Sequence, residues 1–371
     1  MLYFGGVGLA LFLCLLLLSK KQKTVADKIL AAWLLVIGVH LLLFFFFKSN
    51  RYPQLLGFGI PFPLIHGPFL YLYTRAVTDR ALSAKTAGLH VIPFLGTFIY
   101  IVPFLALPVE KRLYVFKHHG VGYETFNLII SIFIIASGIA YVTLSSMALR
   151  KHRASITDQF SNTEKISLQW LQYLIYWIAV IWLLVILDND DLVFGAVVLF
   201  ILFIGFFGIR QVGIFHSQPG NPPLRTLIEN ETWNKEILLE PVPEKPKYQK
   251  SGLTADASLL LHRELKQVMN NEKLFCNSEL SLSELSNRLN TQPNHLSRVI
   301  NEQEGKNFYD YINTLRIEEF KRVATSPESK KYTLLALAQH CGFNSKSSFN
   351  RYFKKVTGLS PSAFMQTTQD A

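Results

Sequence analysis

Cysteine is nearly absent. Cys14, Cys276 and Cys341 are the three in 371 residues, and their spacing fits neither a zinc site nor a disulfide framework. Acidic residues are also short. Asp and Glu number 26 against 37 Lys and Arg, a formal net charge of +11. No Asp, Glu or Lys falls inside any of seven long apolar stretches in the first 210 residues. That removes the ion or proton relay expected of a transporter, and no repeated halves are visible. No hydrolase, kinase or metal motif is found either. The pair His118-His119 lacks a third ligand and helical spacing. The chain is therefore not expected to be an enzyme, and neither catalytic residues, metal nor cofactor are expected.

What is present is an excess of apolar side chains. They make up half of the chain, and the mean hydropathy is +0.25. The stretches are 2–18, 29–47, 55–77, 89–107, 126–149, 170–187 and 192–209. Each approaches or exceeds the ~17–25 residues of a spanning helix, so residues 1–212 are expected to form a seven-helix transmembrane bundle. Residues 2–18 are not read as a signal peptide, because Lys20 and Lys21 follow the run and no small-residue cleavage site appears. If the chain starts outside, the inner loops hold Lys20, Lys21, Lys23, Lys28, Arg75, Arg80, Lys85, Arg150, Lys151, Arg153 and Lys165. The outer loops then hold only Lys48, Arg51, Lys111, Arg112 and Lys117. The positive-inside rule favours this orientation, with the C-terminal domain in the cytoplasm.

The third stretch contains Pro61, Pro63, His66, Pro68, Tyr71 and Tyr73, and the fourth Pro93, Tyr100 and Pro103. Prolines free backbone carbonyls and kink helices, which opens cavities. His66, Tyr71 and Tyr100 are the candidate ligand residues, with His40 a second ionisable group at membrane depth. The alternative is that each His hydrogen-bonds within the bundle. The loop 108–125, with Lys111, Arg112, Lys117, His118 and His119, suits an anionic ligand or lipid headgroups equally. Residues 213–252 are rich in Pro and read as a cytoplasmic tether, with a short helix near Leu224 to Leu239. As coil, ~45 residues span on the order of 35–40 Å.

Residues 253–371 read differently. Leu259 to Met269 suggests an amphipathic helix. Leu334, Leu337, Ala338 and Cys341 then share one helical face. Gly342 suits a left-handed helix end, Ser345 an N-cap, and Phe349, Phe353 and Val356 a buried stripe. Gly358 and Pro361 stop that helix. Lys346, Ser347, Asn350, Arg351 and Lys354 lie away from the stripe. From Ser329 to Gln369 there are six Lys or Arg and no acid. A basic, polar helix with an aromatic back suits a DNA major groove. A second copy precedes it. Leu296-Ser-Arg-Val-Ile300 matches Phe349-Asn-Arg-Tyr-Phe353, Gly305 matches Gly358, and Leu282, Leu285, Ser286, Leu289 and Asn290 match Leu334 through Gly342. One extra residue lies in the second turn. Phe308, Tyr311, Ile312, Leu315, Phe320 and Val323 form the apolar face of a joining helix. The expected fold class is all-α, with helix-turn-helix units at about 282–303 and 334–356.

The pattern Leu337-Ala338-x-x-Cys341-Gly342-Phe343-x-Ser345-x-x-x-Phe349-x-Arg351-x-Phe353-Lys354-x-x-x-Gly358-x-Ser360-Pro361 resembles the signature of the AraC/XylS family of bacterial transcription factors. The resemblance covers about Leu259 to Phe364. It implies two recognition helices, Pro293 to Gln303 and Ser345 to Val356, entering successive major grooves on one face of the DNA. The DNA-binding candidates are Asn294, His295, Ser297, Arg298, Ser345, Lys346, Ser347, Asn350, Arg351 and Lys354. Ser286 stands where the family usually has Ala, and Met365 where an Arg often follows. Glu302 and Glu304 imply weaker phosphate binding by the first helix. The reading is a multi-pass regulator of the bacterial cytoplasmic membrane that binds double-stranded promoter DNA. Its further partners are the lipid bilayer, RNA polymerase, a second copy of the chain and an unidentified small-molecule or membrane signal. The alternative is a transporter or passive anchor carrying a regulatory DNA-binding domain.

Overall fold

The structure, a computed structural model, describes residues 2–49, 52–78, 80–118, 120–164, 166–187, 189–210 and 254–369. It is all-helical, and no β-strand occurs among the described residues. The expected tether 213–252 and its short helix lie outside the described residues, as do Arg51, His119 and Lys165. Two compact units emerge. The described residues of 1–150 and 168–242 make the first, and those of 151–167 and 243–371 the second. The second unit therefore draws on a stretch expected to be only a loop of the first.

In the first unit the helices are α1 (Leu2–Ser19), α2 (Val25–Lys48), α3 (Pro63–Val77), α4 (Ala84–Leu89), α5 (Ile92–Leu105), α6 (Val109–Lys117), α7 (Glu124–Gln159, whose residues from Lys151 on count with the second unit), α8 (Gln169–Ile186) and α9 (Asp190–Arg210). α1 packs on α2 and α9, α8 on α9, and α2 on α3. Their shared core includes Leu13, Leu17, Trp33, Leu34, Leu41, Leu70, Leu174 and Ile201. Thr24 starts α2 with a reciprocal cap: its side chain accepts from the Asp27 amide, and the Asp27 carboxylate accepts from the Thr24 amide. Asp27 also holds Lys20 in a buried ion pair at 2.8 Å. At the other end of these helices the Tyr3 hydroxyl donates to Asp191 at 2.8 Å, and Lys48 pairs with the same carboxylate.

Among the described residues, six helical stretches are long and apolar enough to cross a membrane: α1, α2, Ala84–Leu105, α7, α8 and Asp190–Phe207. The expected segment 55–77 differs. It is α-helical only over Pro63–Val77, and residues 55–62 run through successive i→i+3 turns. Pro61 and Pro63 cannot donate to a helical ladder, and Gly57 takes φ +98°. Fifteen residues rise ~22 Å, short of the ~30 Å hydrocarbon core. The segment 126–149 instead continues to Gln159, because nothing from Arg150 to Asp158 breaks a helix.

The second unit contains α10 (Ala255–Glu272), α11 (Leu282–Arg288), α12 (Pro293–Glu304), α13 (Phe308–Ala324), α14 (Leu334–His340), α15 (Lys346–Thr357) and α16 (Pro361–Gln369). Its two halves repeat each other. The turn after α11 carries Asn290 at φ +49°, and the turn after α14 carries Gly342 at φ +97°. Thr291 N–H donates to Ser286 O at 2.9 Å, and at the matching place Phe343 N–H donates to Ala338 O at 3.0 Å. Ser281 and Thr333 cap the first helix of each pair. Gly305 and Gly358 end the second in the left-handed conformation. Leu296, Val299 and Ile300 point inward from α12 as Phe349, Tyr352 and Phe353 do from α15.

Two apolar clusters result. One gathers Leu265, Leu285, Leu296, Val299, Ile300, Phe308 and Ile312. The other gathers Ile317, Phe320, Leu337, Cys341, Phe349 and Phe353. Burial raises the Cys341 thiol to about 12, so it packs as a small apolar group. Gly342 sits where the halves meet: a Cβ there would lie 2.7 Å from Phe275 O and 2.8 Å from Arg316 Nε. Gly342→Ala combines that clash with a disfavoured φ. We expect it to cost the second unit on the order of 2–4 kcal/mol, read as earlier unfolding of 254–369 in hydrogen exchange of the full chain. Wild-type protection in the variant would contradict this packing.

Candidate nucleic-acid interface

α15 presents the clearest open face. Ser345 caps it, its Oγ accepting from Ser348 N–H at 3.1 Å. Phe349 and Phe353 are buried, with Phe320 tilted against the first ring and edge-on to the second. Tyr352 is buried as well, and its hydroxyl donates to Asp310 O at 2.8 Å. Lys346, Ser347, Asn350, Arg351 and Lys354 are all exposed, and Ser345 is half-buried. Side chains of these types read base edges or neutralise phosphate. Lys355, part of the same basic run, pairs with Asp310 at 2.7 Å, so part of the positive charge counted along the sequence is spent inside the unit.

α12 is the weaker partner. Asn294 and Arg298 are exposed, while His295 and Ser297 are half-buried. Arg298 Nε donates to Glu302 at 2.6 Å, and Asn301 Nδ2 to Ser297 O at 2.9 Å. A base contact by Arg298 must break or share that ion pair. Ser286 is fully buried and its hydroxyl donates to Ser283 O at 2.8 Å, which accommodates it where Ala is usual. Met365 packs against the second cluster.

α13 joins the units as expected, but carries two polar residues that its apolar pattern hid. Asn313 and Arg316 are each 1% exposed. Arg316 donates to Phe275 O at 2.6 Å, to Asn277 O at 2.8 Å, and to Ser161 O and Oγ at 3.1 and 3.0 Å. Burial pulls its pKa down to about 10, so it stays cationic near neutrality. Its place between Ile312 and Phe320 on one face was the available signal. Ser161 and Glu164 had no local signal, because their partners lie more than 100 residues away.

In the first unit the candidate ligand residues do not converge. Trp33 Nε1–H donates to His66 Nδ1 at 3.3 Å, and His66 Nε2 meets His40 Nδ1 at 3.1 Å. An acceptor Nδ1 on His66 puts its proton on Nε2; that Nε2–H then donates to His40, whose own proton is on Nε2. Each His is thus hydrogen-bonded within the bundle. Both rings line an apolar cavity of about 60 Å³ with Trp33, Trp182, Phe194 and Phe200. Tyr71 lies elsewhere, accepting from Arg75 at 3.2 Å and packing edge-on to His90. Tyr100 is exposed and stacks on Phe126. In the loop 108–125 Arg112 is buried, donating to Gln54 O and Leu56 O at 3.0 and 2.9 Å.

Comparison with known proteins agrees with this geometry. Residues 285–367 match a helix-turn-helix domain family. A 110-residue stretch is 34% identical to an uncharacterized HTH-type transcriptional regulator of Staphylococcus aureus strain COL, covering 30% of this chain and 14% of that protein. A 147-residue stretch is 24% identical to the uncharacterized HTH-type transcriptional regulator YtdP of Bacillus subtilis strain 168, covering 38% of this chain and 17% of that protein. The matched stretches thus span about a sixth or less of the length of these relatives. No solved structure matches. These matches support an AraC-type helix-turn-helix domain in the C-terminal third of the chain.

Arg351→Ala and Arg298→Ala should each weaken specific binding; a bidentate guanine contact is worth ~1–3 kcal/mol, with relaxed specificity at one base pair. Lys354→Ala should weaken binding to all sequences and flatten its salt dependence. Phe353→Ala should act through the fold, at ~3–5 kcal/mol. Gel shifts over a salt series check these. Unchanged affinity and specificity in both arginine variants would remove the major-groove assignment.

Proposed function

We propose that the chain is a membrane-embedded, one-component transcription regulator. The second unit binds promoter DNA sequence-specifically through α12 and α15, and the first lies in the bacterial cytoplasmic membrane and receives a signal. The open face of α15, with Ser347, Asn350, Arg351 and Lys354 exposed over a buried aromatic back, carries the DNA-binding part. RNA polymerase and a second copy of the chain are proposed as further partners.

Apolar side chains on the outer surface of the first unit support insertion. Leu11, Phe12, Leu15, Ile132, Phe133 and Leu183 are all exposed, and lipid accepts them where water does not. The meeting of Tyr3, Lys48 and Asp191 at one end supports an odd number of crossings. The start of α1, the end of α2 and the start of α9 then share a membrane face, and α9 leaves by the other. That parity needs seven crossings, with α3 and the turns before it as the third. The loop charges set the direction.

Alkaline phosphatase fused after Asp191 should be active, and fused after Gln218 silent. The reverse pattern would overturn the orientation. For function, chromatin immunoprecipitation of the intact protein should recover discrete promoters, and replacing residues 1–209 with an unrelated bundle of equal topology should abolish the response of those genes to growth conditions. An unchanged response would reduce the membrane half to an anchor.

A further inference from the structure

The stretch after α7 enters the second unit as a ligand enters a site. Phe160 pairs with Ser281 in an isolated antiparallel bridge. Ser161 N–H and Oγ–H both reach Leu280 O, at 3.2 and 2.6 Å. Ser161 O accepts from Asn313 Nδ2 and from Arg316, both at 3.1 Å, and its Oγ accepts from Arg316 at 3.0 Å. Ser161 is 1% exposed. No carboxylate pairs with Arg316 among the described residues, so carbonyl and hydroxyl oxygens alone face this buried cation, and one loop residue supplies two of them. A buried cation holds such acceptors strongly, because leaving its donors unmet is costly.

Three residues on, the Glu164 carboxylate accepts from Ser345 Oγ at 2.5 Å. Ser345 is the N-cap of α15. Asn344, beside it, donates to the Glu279 carboxylate at 2.8 Å. The start of the recognition helix thus holds two acidic groups. The partial positive charge of a helix start is what a DNA phosphate would otherwise use. A carboxylate and a phosphate cannot share that place without repelling each other.

We propose that the segment 160–164 is a built-in inhibitor of DNA binding: Ser161 anchors it on Arg316 and Asn313, and Glu164 occupies the phosphate position at the start of α15. The proposal rests on the DNA-binding reading above and names its regulation. The segment is continuous in sequence with α7 before it and α8 after it, two of the helices long and apolar enough to span. A signal that favours one arrangement of these helices favours the docked or released segment by its differential affinity for the two. The route bypasses residues 213–252.

The test uses the full chain in nanodiscs of phosphatidylcholine and a fluorescein-labelled 40-base-pair duplex of mixed sequence, titrated by anisotropy over a salt series. Glu164→Ala should bind the duplex about three- to tenfold more tightly than wild type, with a salt slope steeper by about one phosphate. Glu164→Gln, which keeps an acceptor for Ser345 but no charge, should move in the same direction. Saturating duplex should also speed amide exchange at Ser161 in the wild type. Equal or weaker binding by both variants would overturn the inhibitory segment while leaving the DNA-binding reading intact, provided Lys354→Ala still weakens the wild type. Absence of duplex binding by every form at low salt would overturn both.

Discussion

A buried guanidinium organises the second unit. Arg316 lies on α13 between Ile312, which belongs to the first apolar cluster, and Ile317, which belongs to the second. Taking a cation out of water is tolerable only when its donors are satisfied. Arg316 meets this by drawing in Phe275 O and Asn277 O from the first half and Ser161 from the stretch after α7. The turn of the second half closes over it, since Gly342 leaves no room for a Cβ beside Phe275 O and Arg316 Nε. Through Phe275 O and Asn277 O, one side chain thus fixes the two halves of the unit against each other. On the proposed reading, that spacing is what would let α12 and α15 meet successive grooves.

The helix-turn-helix halves were legible because their signals are local. A left-handed residue, an N-cap and a stripe at i, i+3 and i+4 each act within a few residues. Asn290 and Gly342 do what the two sequences ask of them, and so do Gly305 and Gly358. The apolar stretches were legible as helices for the same reason. The third differs in its start, because average hydropathy does not register where Pro61 and Pro63 remove backbone donors, so its helix begins only at Pro63. Long-range polar chemistry was out of reach. Arg316, Lys355 and Glu164 carry no local mark of the partners they have in the structure. Their roles depend on Ser161, Asp310 and Ser345, which no periodicity links to them.

The polar chain Trp33–His66–His40 poses the same question in the apolar unit. Donor follows acceptor from Trp33 to His40, and among the described residues no acceptor meets the last Nε2–H. The cavity these rings line is otherwise apolar. Both Nδ1 atoms serve as acceptors in this chain.

Control by a docked segment needs only modest contact energy, because segment and unit belong to one chain. Groups joined by a flexible connection meet at effective concentrations in the millimolar range. A docking contact with an intrinsic dissociation constant of about 100 μM would then be roughly nine-tenths occupied. Releasing it to the same degree requires a differential signal affinity of about 2–3 kcal/mol. That is the scale of one or two hydrogen bonds to a charged group, and the contact of Glu164 with Ser345 is one of that class. Tighter docking would need a signal larger than a small ligand readily supplies. Looser docking would leave α15 open whatever the membrane half reports.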